Sequence, residues 1–491
     1  MNKFVEAVVE DARWGKTYNG ADTLNTTSSR VLDLFKAIGQ RGADLTKEFD
    51  RAVAEDKALA FRTLLYTRDI REGAGERAIF RTILRHCEKH YLNELLVMLP
   101  HVPKFGRWDD LLILESDIAK VTVHLQIKEA LDRKDGLCAK WLPRKGKRAA
   151  EIRKAFNWSP KRYRKTIVNL TKVVETQMCQ REWTGIKYDH VPSLAAARYQ
   201  KAFFKHDPVG YKSYRDGLTK INPVTGKIER KINAGAVYPY DVIKSLRHGD
   251  RQVAEAQWAA LPNFMGDATV LPLVDCSGSM DSWSYYGQRP NISSDIKPID
   301  IAVSLGIYTA DKQKGAFKDI ILQFASEPKI QKLEGNLTTK YQQVCGSRWA
   351  GSTNIIGAYE EILRFATKNR VPQEDMPQVL MIISDMEFDQ TCRAGGSAYG
   401  GYQAKKSNFD ELAERFANAG YRLPQIVFWN VNGRADNNQV SAHQNGAALV
   451  SGFSPSILKT VLSYNPENYT PYNVMLRTLL VQRYDVPGLT I

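Results

Sequence analysis

The sequence has few cysteines and no long apolar run. Its six cysteines, at positions 87, 138, 179, 276, 345 and 392, are dispersed over 491 residues, and no two lie close enough to form a metal knuckle or a redox dithiol. We therefore expect reduced thiols and a cytoplasmic location. The first residues, MNKFVEAVVEDARWGK, contain no apolar stretch of signal-peptide length, and no segment approaches the roughly twenty apolar residues that span a bilayer. Secretion and membrane insertion are not expected.

Motifs of common enzyme classes are also missing. The sequence has no Walker loop, no GxGxxG after a strand, no GxSxG and only eight histidines. Ser277 lies in a glycine-containing turn, but it lacks the flanking pattern and an evident histidine partner of a hydrolase nucleophile. Metal-assisted hydrolysis would need more carboxylates. We expect a non-catalytic protein and keep an RNA-cleaving enzyme as the less favoured alternative.

Positive charge is concentrated in the first half of the chain. The chain has 491 residues, of which 43% are apolar and 25% charged. This length suits two globular domains better than one. Residues 1–265 contain 48 Lys+Arg and 32 Asp+Glu, whereas residues 266–491 contain 21 and 22. A basic excess confined to one domain favours a polyanionic partner, most commonly nucleic acid. A generally solvated basic surface is the alternative.

Residues 27–210 show apolar positions at helical spacing, in helices of roughly 12 to 20 residues. Turn signals separate them at 71–75 and 103–106. Successive short helices favour a HEAT-like solenoid or ring. A turn between short extended pieces is expected at 222–226, and the boundary of this helical domain, residues 1–265, near 262–267.

The most basic segment is 133–172, which has 14 Lys and Arg but only two acids, Asp135 and Glu151. Aromatics at 141, 156, 158 and 163 interleave with the basic residues and offer faces for unstacked bases. The alternative is that the aromatics belong to the core and the basic residues line an exposed helix. We expect RNA binding that is steeply salt-dependent and is lost when positions 144, 145, 147 and 148 are neutralised together. The candidate RNA-binding residues are Arg144, Lys145, Lys147, Arg148, Arg153, Lys154, Lys161, Arg162, Arg164 and Lys165.

From residue 269 onward, short apolar runs alternate with helical text. Strands are expected at 269–274, 320–325, 379–384, 425–431 and 447–450, with helices at 299–310, 354–367, 408–419, 455–463 and 472–480. This order predicts a mostly parallel sheet covered by helices. The whole chain is therefore expected to be α + α/β, and the α/β domain to span 266–491. Ligands of such sheets bind at the carboxyl ends of strands.

Three separate loops of this region contain hydroxyl or carboxylate oxygens. Asp275, Ser277 and Ser279 follow the first strand in LPLVDCSGSM, Thr353 precedes a helix in GSTN, and Asp385 follows a strand in MIISDMEFD. Such hard oxygen ligands suit Mg²⁺ or Mn²⁺. An Asp followed by Ser and Gly can also be a simple Asx turn. The nearby acids at 387 and 389 are expected to be solvated, with ligand support as the alternative.

This Asp-x-Ser-x-Ser, Thr and Asp set resembles the metal-ion-dependent adhesion site of von Willebrand factor A domains. The resemblance implies that Ser277, Ser279 and Thr353 coordinate the ion directly or through water, and that an acidic group of a bound partner completes the octahedron. Met386 stands where that family often has glycine, so a looser turn after Asp385 is expected.

Seven motifs follow one another along the chain: TRDIREGAGERAIFRTIL (67–84), KFGRWDDLLIL (104–114), KWLPR (140–144), YRKTIVNL (163–170), VPSLAAARYQKAF (191–203), VYPYDVI (237–243) and VDCSGSM (274–280). As an ordered set they resemble the Ro autoantigen architecture, a helical TROVE module followed by a von Willebrand factor A domain, and most closely a related two-part family of domains of unknown function. The resemblance implies binding of small structured or misfolded RNA. The insert-like segment 282–295 departs from the pattern. The competing hypothesis is a metal-dependent adaptor for acidic proteins that binds no RNA.

Overall fold

In a computed structural model of the chain, the secondary structure consists of short helices and two sheets. The structure describes residues 12–171, 173–220, 230, 232, 234–235, 237–281, 297–346, 353–389, 407–463 and 468–490. The expected turn at 222–226 and the segment 282–295 therefore lie outside the described residues. The strands are β1 (Trp14–Lys16), β2 (Asp22–Leu24), β3 (Val270–Asp275), β4 (Ile320–Phe324), β5 (Lys329–Lys332), β6 (Val379–Ser384), β7 (Gln425–Asn430) and β8 (Ala447–Ser451).

The α-helices fall before, between and after the strands. In chain order they are α1 (Arg30–Ala37), α2 (Thr46–Glu55), α3 (Lys57–Arg68), α4 (Arg77–His90), α5 (Leu92–Met98), α6 (Val102–Phe105), α7 (Asp117–Asp132), α8 (Gly136–Trp141), α9 (Lys147–Ala155), α10 (Pro160–Leu170), α11 (Val174–Gln180), α12 (Ser193–His206), α13 (Pro208–Gly217), α14 (Pro239–His248), α15 (Arg251–Ala259), α16 (Pro298–Lys312), α17 (Leu337–Cys345), α18 (Ile355–Lys368), α19 (Asn408–Asn418), α20 (Leu458–Val461) and α21 (Pro471–Leu479). None of the described helices has the length and apolar content needed to cross a membrane.

The chain folds as two compact units. The α/β unit contains Met1–Thr63, Tyr238–Lys244 and Asn263–Val481. The helical unit contains Leu64–Val237, Ser245–Pro262 and Gln482–Ile491. These units do not coincide with the ranges 1–265 and 266–491, because the first 63 residues group with the main sheet.

The α/β unit is built on a six-stranded sheet of described strands in the order β5-β4-β3-β6-β7-β8. Every neighbouring pair is parallel except β4 and β5. Strands β3, β6 and β8 are buried along their whole length, as expected for a sheet covered on both faces. The predicted combination of a helical region with a mostly parallel sheet is therefore confirmed.

The N-terminal segment completes this unit at the carboxyl ends of β7 and β8. Ser451 Oγ donates to the Phe35 carbonyl at 3.0 Å, and Asn430 Nδ2 donates to the Lys36 carbonyl at 3.3 Å. A Cβ at Gly39 would lie 2.6 Å from the Asn430 carbonyl oxygen. The close approach at the end of α1 therefore requires a glycine.

An ion-pair network lies in the core of the helical unit. Asp110, which is completely buried, accepts from Arg68 Nε at 2.7 Å and from Arg81 Nε at 2.6 Å. It also accepts from the backbone N–H of Arg107 at 2.9 Å. A Cβ at Gly106 would lie 2.5 Å from Asp110 Oδ2. The KFGRWDD motif therefore has a structural role, holding a buried carboxylate against two arginines.

Candidate functional site

The predicted oxygen donors follow neighbouring strands of the main sheet. Asp275 is the last residue of β3, and Asp385 comes directly after β6, the strand that lies next to β3. Parallel strands present their carboxyl ends at the same edge of a sheet, so these two carboxylates share that edge. Thr353 lies two residues before α18.

Hydrogen bonds fix the Asp275 carboxylate within its turn. Its Oδ1 accepts from the backbone N–H of Ser277 at 2.9 Å, and its Oδ2 accepts from the Ser384 hydroxyl. The hydroxyls of Ser277 and Ser279 are 3.1 Å apart. Because Asp275 and Ser277 are buried while Ser279 is exposed, the loop presents its oxygens from the core outward to solvent.

The turn after Asp385 contains a residue in a backbone conformation that glycine favours. Met386 has a φ of +64°, in the left-handed region that glycine favours. The backbone N–H of Glu387 donates to Asp385 Oδ1 at 3.1 Å, and a Cβ at Gly433 would lie 2.4 Å from the Asp385 carbonyl oxygen. The looser turn expected from methionine at 386 is therefore wrong, because Met386 adopts the conformation itself.

Burial raises the pKa of both carboxylates. The nearby Ser279 hydroxyl acts to lower the pKa of Asp385, which relates the first loop to the second. Burial and the charge of Asp385 raise the pKa of Asp275 to about 7, and burial raises the pKa of Asp385 as well. A divalent cation between them would offset both effects, since it favours the ionised carboxylates.

Thr353 reaches this edge through a contact with the N-terminal hairpin of β1 and β2. Its hydroxyl, on a side chain that is only 1% exposed, accepts from Asn19 Nδ2 at 3.3 Å. The same amide donates to the Glu387 carbonyl at 2.7 Å. Because both acceptors are oxygens, these bonds define the orientation of the Asn19 amide. Asn19 thus ties the Thr353 loop to the loop that follows Asp385.

Glu387 anchors the hairpin and is not solvated. It is 5% exposed, and its carboxylate accepts from the Tyr18 backbone N–H at 2.6 Å and from Arg434 Nε at 3.0 Å. Burial raises the pKa of Glu387 to about 7. The expectation of a solvated acid at 387 is wrong, because the hairpin covers this side chain. Asp389 is half-buried and pairs with Gly20 through a backbone bridge.

The donor set fits a hard divalent ion that depends on hydroxyl oxygens. Contacts join Asp275, Ser277, Ser279 and Asp385 directly, and Thr353 through Asn19. Within the described ranges, no group of three or more His, Cys, Asp or Glu side chains is placed to hold a metal. An ion at this edge would therefore need the serine and threonine hydroxyls beside its two carboxylates.

The hairpin was not expected from the sequence, although a signal for it was present. Asn19-Gly20 separates β1 from β2, and Gly20 has a φ of +89°. An Asn-Gly pair between two extended segments is a strong local hairpin signal. The signal does not predict which residues the hairpin contacts, because these lie more than 300 positions away in the sequence.

The candidate RNA-binding residues lie on and between three helices of the helical unit, α8, α9 and α10. Eight of the ten are exposed, and Arg148 and Arg153 are half-buried. Arg148 forms ion pairs with Glu115 and Glu151, while Arg144 donates to the Thr171 hydroxyl at 3.1 Å. These two arginines have structural contacts in addition to any contact with a ligand.

The interleaved aromatics divide into two pairs. Phe156 and Tyr163 are buried, and the Tyr163 hydroxyl donates to the Pro143 carbonyl at 3.0 Å. Trp141 and Trp158 are half-buried. The guanidinium of Arg107 lies 3.5 Å from the Trp141 ring centroid, and that of Arg162 lies 4.7 Å from Trp158. Phe156 and Tyr163 therefore belong to the core, as the alternative interpretation expected for the aromatics. Trp141 and Trp158 instead form cation–π contacts with arginines.

Two family models match this chain. Residues 269–474 match one described as "Domain of unknown function (DUF7788)", and residues 107–271 match one described as "Domain of unknown function (DUF2828)". The first range spans all five oxygen donors, and the second contains the basic segment. The chain is also 27% identical over 522 residues to "Uncharacterized protein L728" of Acanthamoeba polyphaga mimivirus, covering 94% of this chain and 86% of that protein.

These matches confirm the part of the resemblance that pointed to a two-part family of domains of unknown function. Neither matching model is a TROVE or von Willebrand factor A model. The likeness to Ro proteins stays a prediction.

We expect Asn19→Ala to destabilise the α/β unit by about 1–2 kcal/mol, because two hydrogen bonds are lost and their acceptors lie on the buried residues Thr353 and Glu387. The measurement is chemical denaturation of the full chain. Tyr18→Ala is the matched control, since this neighbouring side chain is 73% exposed and its hydrogen bond uses the backbone. Equal effects of the two substitutions would contradict the role given to the Asn19 amide.

Proposed function

We propose that the chain is a non-catalytic RNA-binding protein of the Ro type, acting in the cytoplasm, whose basic segment binds structured or misfolded RNA. The observation that carries the proposal is the exposure of eight of the ten candidate cations on and between neighbouring helices. The only glutamate of the segment, Glu151, pairs with Arg148. Most of the positive charge is therefore free to meet an external polyanion.

The clearest binding face is on α10. Lys161, Arg164 and Lys165 are spaced so that they share one side of the helix, and all three are exposed. Tyr163 and Ile167 are the buried residues of the same helix. The three cations form no ion pair within the part of the chain that the structure describes. Such a row suits the phosphates of an RNA backbone, and the nearby Trp158 ring offers a stacking surface.

The test is RNA binding by fluorescence anisotropy at increasing KCl, with a structured RNA hairpin as probe. Replacing Lys161, Arg164 and Lys165 together by alanine should reduce the slope of log affinity against log salt by about 2, since each phosphate contact contributes roughly 0.7–0.9. Arg148 is left intact because Glu115 and Glu151 already compensate its charge.

A matched control removes three exposed cations from the α/β unit, Lys314, Lys329 and Lys332. It changes the net charge equally and should leave the slope unchanged. If this control weakens RNA binding as much as the α10 variant does, the effect is one of overall charge and the assignment to α10 fails. Absence of RNA binding by the wild-type chain would overturn the proposal.

The proposal includes a von Willebrand factor A-type metal site. Asp275, Ser277, Ser279, Thr353 and Asp385 would hold Mg²⁺ or Mn²⁺, and the ion would supply a positive charge able to bind a carboxylate of a partner protein. Support comes from the oxygen chemistry of these donors and from the raised pKa of the two buried carboxyls. The helical unit would be a HEAT-like repeat of the TROVE type, supported by its succession of short helices.

The exposed position of Ser279 favours a second candidate, a metal-dependent adaptor that binds acidic proteins and no RNA. Ser279 opens the donor set to solvent, and Tyr18, 73% exposed, lies in the hairpin that contacts Thr353 and Glu387. Binding of a glutamate-rich peptide that requires Mg²⁺, together with absence of RNA binding, would favour this reading. Peptide binding in the presence of chelator would exclude it.

A further inference from the structure

The helical unit contains a cavity that belongs to neither feature described above. Its volume is about 580 Å³, within the range of small-ligand sites. The residues that matter for its chemistry are Lys201 and Phe204 of α12, Arg215 of α13, and Asp250 and Arg251 at the start of α15. None of them lies in the basic segment 133–172.

One wall of the cavity is aromatic. Phe204 is 40% exposed, and its ring packs edge-to-face on Tyr211 with centroids 4.9 Å apart. The Arg215 guanidinium lies 4.9 Å from the Phe204 ring centroid and forms an ion pair with Asp250. The ring and the guanidinium are therefore both held in place before any ligand arrives, which suits the stacking of a flat aromatic group.

The remaining charge on the wall is positive. The cavity is lined by three cationic side chains and one carboxylate, Asp250. Asp250 already forms an ion pair with one of the cations, Arg215. Asp250 also caps α15 by accepting from the backbone N–H groups of Gln252 and Val253. Lys201 and Arg251 are exposed and form no ion pair with any residue that the structure describes. Two uncompensated cations on a concave surface attract an anion.

A buried hydroxyl lies close to the same wall. Tyr211 is 1% exposed, and its Oη has no hydrogen-bond partner among the described residues. Its ring contacts Phe204, which lines the cavity. Tyr211 itself does not line the cavity, so its contribution is to support the Phe204 ring from behind.

We propose that this cavity binds a nucleoside monophosphate, either free or as the 5′-terminal nucleotide of an RNA. The base would stack on Phe204, and the phosphate would lie between Lys201 and Arg251. A phosphate group suits two cations on separate helices, and a base suits the fixed ring and guanidinium. The proposal does not depend on the metal site or on the α10 face.

Isothermal titration of the full chain with AMP tests the proposal. Arg251→Glu and Phe204→Ala should each weaken AMP binding at least about tenfold, because the first places a negative charge beside the phosphate and the second removes the stacking ring. Both side chains are exposed, so the fold should survive, and circular dichroism checks it. Lys205→Ala is the matched control, since Lys205 is exposed on α12 but does not line the cavity.

Two further probes separate the sources of the ligand. Tighter binding of a 5′-phosphorylated RNA oligonucleotide than of AMP, lost on removal of its phosphate, assigns the cavity to RNA ends. AMP binding as tight as or tighter than that of the oligonucleotide assigns it to free nucleotides. The proposal is overturned if neither probe binds, if inorganic phosphate binds as tightly as AMP, or if the cavity variants behave like Lys205→Ala.

Discussion

Replacing Asp110 by alanine is expected to cost about 3–5 kcal/mol of the unfolding free energy of the helical unit. Asp110 is fully buried and accepts from two arginines, of which Arg68 is only 2% exposed. Removing the carboxylate leaves the Arg68 charge in a low-dielectric interior with no partner, which is far costlier than losing an ion pair at the surface. The measurement is guanidinium-induced unfolding of the full chain, following the transition of the helical unit.

Glu115→Ala provides the matched control for this experiment. Glu115 is also a carboxylate of the helical unit that pairs with an arginine, Arg148, but its side chain is 66% exposed. Solvent screens that pair, so the unfolding midpoint should not move measurably. Gly106→Ala should resemble Asp110→Ala, because its added Cβ would approach Arg68 Nε to 2.6 Å. An Asp110→Ala protein that unfolds at the wild-type midpoint would contradict the buried network.

The ion-pair network shows what the sequence could and could not reveal about the helical unit. The motifs TRDIREGAG and KFGRWDD were evident as an ordered set, and their glycines and aspartates suggested turns. Arg68 and Asp110 are 42 positions apart, however. No local periodicity relates residues at that distance, so their pairing appears only when α3 and the turn after α6 are placed in space.

The main sheet was predictable because its strands are buried on both faces. Continuous apolar runs such as VLMIIS at 379–384 are long enough to stand out from the helical text around them. The edge strand β5 was missed for the opposite reason. Its four residues, KIQK, include one apolar side chain and are partly exposed, so they carry neither the apolar run nor a clear alternation.

The place of the N-terminal segment was not predictable from local patterns. An amphipathic helix such as α1 has the same apolar stripe whether it covers another helix or the end of a sheet. Here the decisive contacts are backbone carbonyls of α1 that accept from Asn430 and Ser451. Every residue type has a backbone carbonyl, so such contacts cannot be recognised from the sequence. The only related sequence feature is the glycine at 39.

The donor set at the sheet edge was predictable because topology brings it together. Each carboxylate follows an apolar strand directly, and the carboxyl ends of parallel neighbours must meet. The support of that edge was not predictable, because Asn19 and Glu387 act through single hydrogen bonds between segments distant in sequence. The sequence pattern therefore identifies the oxygen donors of this edge, whereas the residues that support them are identified only by the three-dimensional structure.

Asp275→Asn is expected to abolish the response of the chain to Mg²⁺ while leaving the metal-free fold at least as stable. In the wild-type protein, Asp275 and Asp385 are both buried, and the charge of Asp385 disfavours ionisation of Asp275. The neutral amide relieves that repulsion, and the Ser384 hydroxyl can rotate to accept from it. A bound ion stabilises the wild-type fold by about 2.7 kcal/mol at one hundred times its dissociation constant, and the variant should gain almost none of this.

Thermal unfolding with and without MgCl₂ or MnCl₂, at ionic strength matched with KCl, measures both halves of this expectation. Asp281→Asn is the matched control, because Asp281 is an exposed aspartate shortly after the same loop and pairs with Lys297. It should keep the full metal-induced shift in melting temperature. A wild-type protein that melts at the same temperature with and without either metal would remove the basis for the site. An Asp275→Asn protein that still responds would show that the ion lies elsewhere, because the proposed site depends on the Asp275 carboxylate.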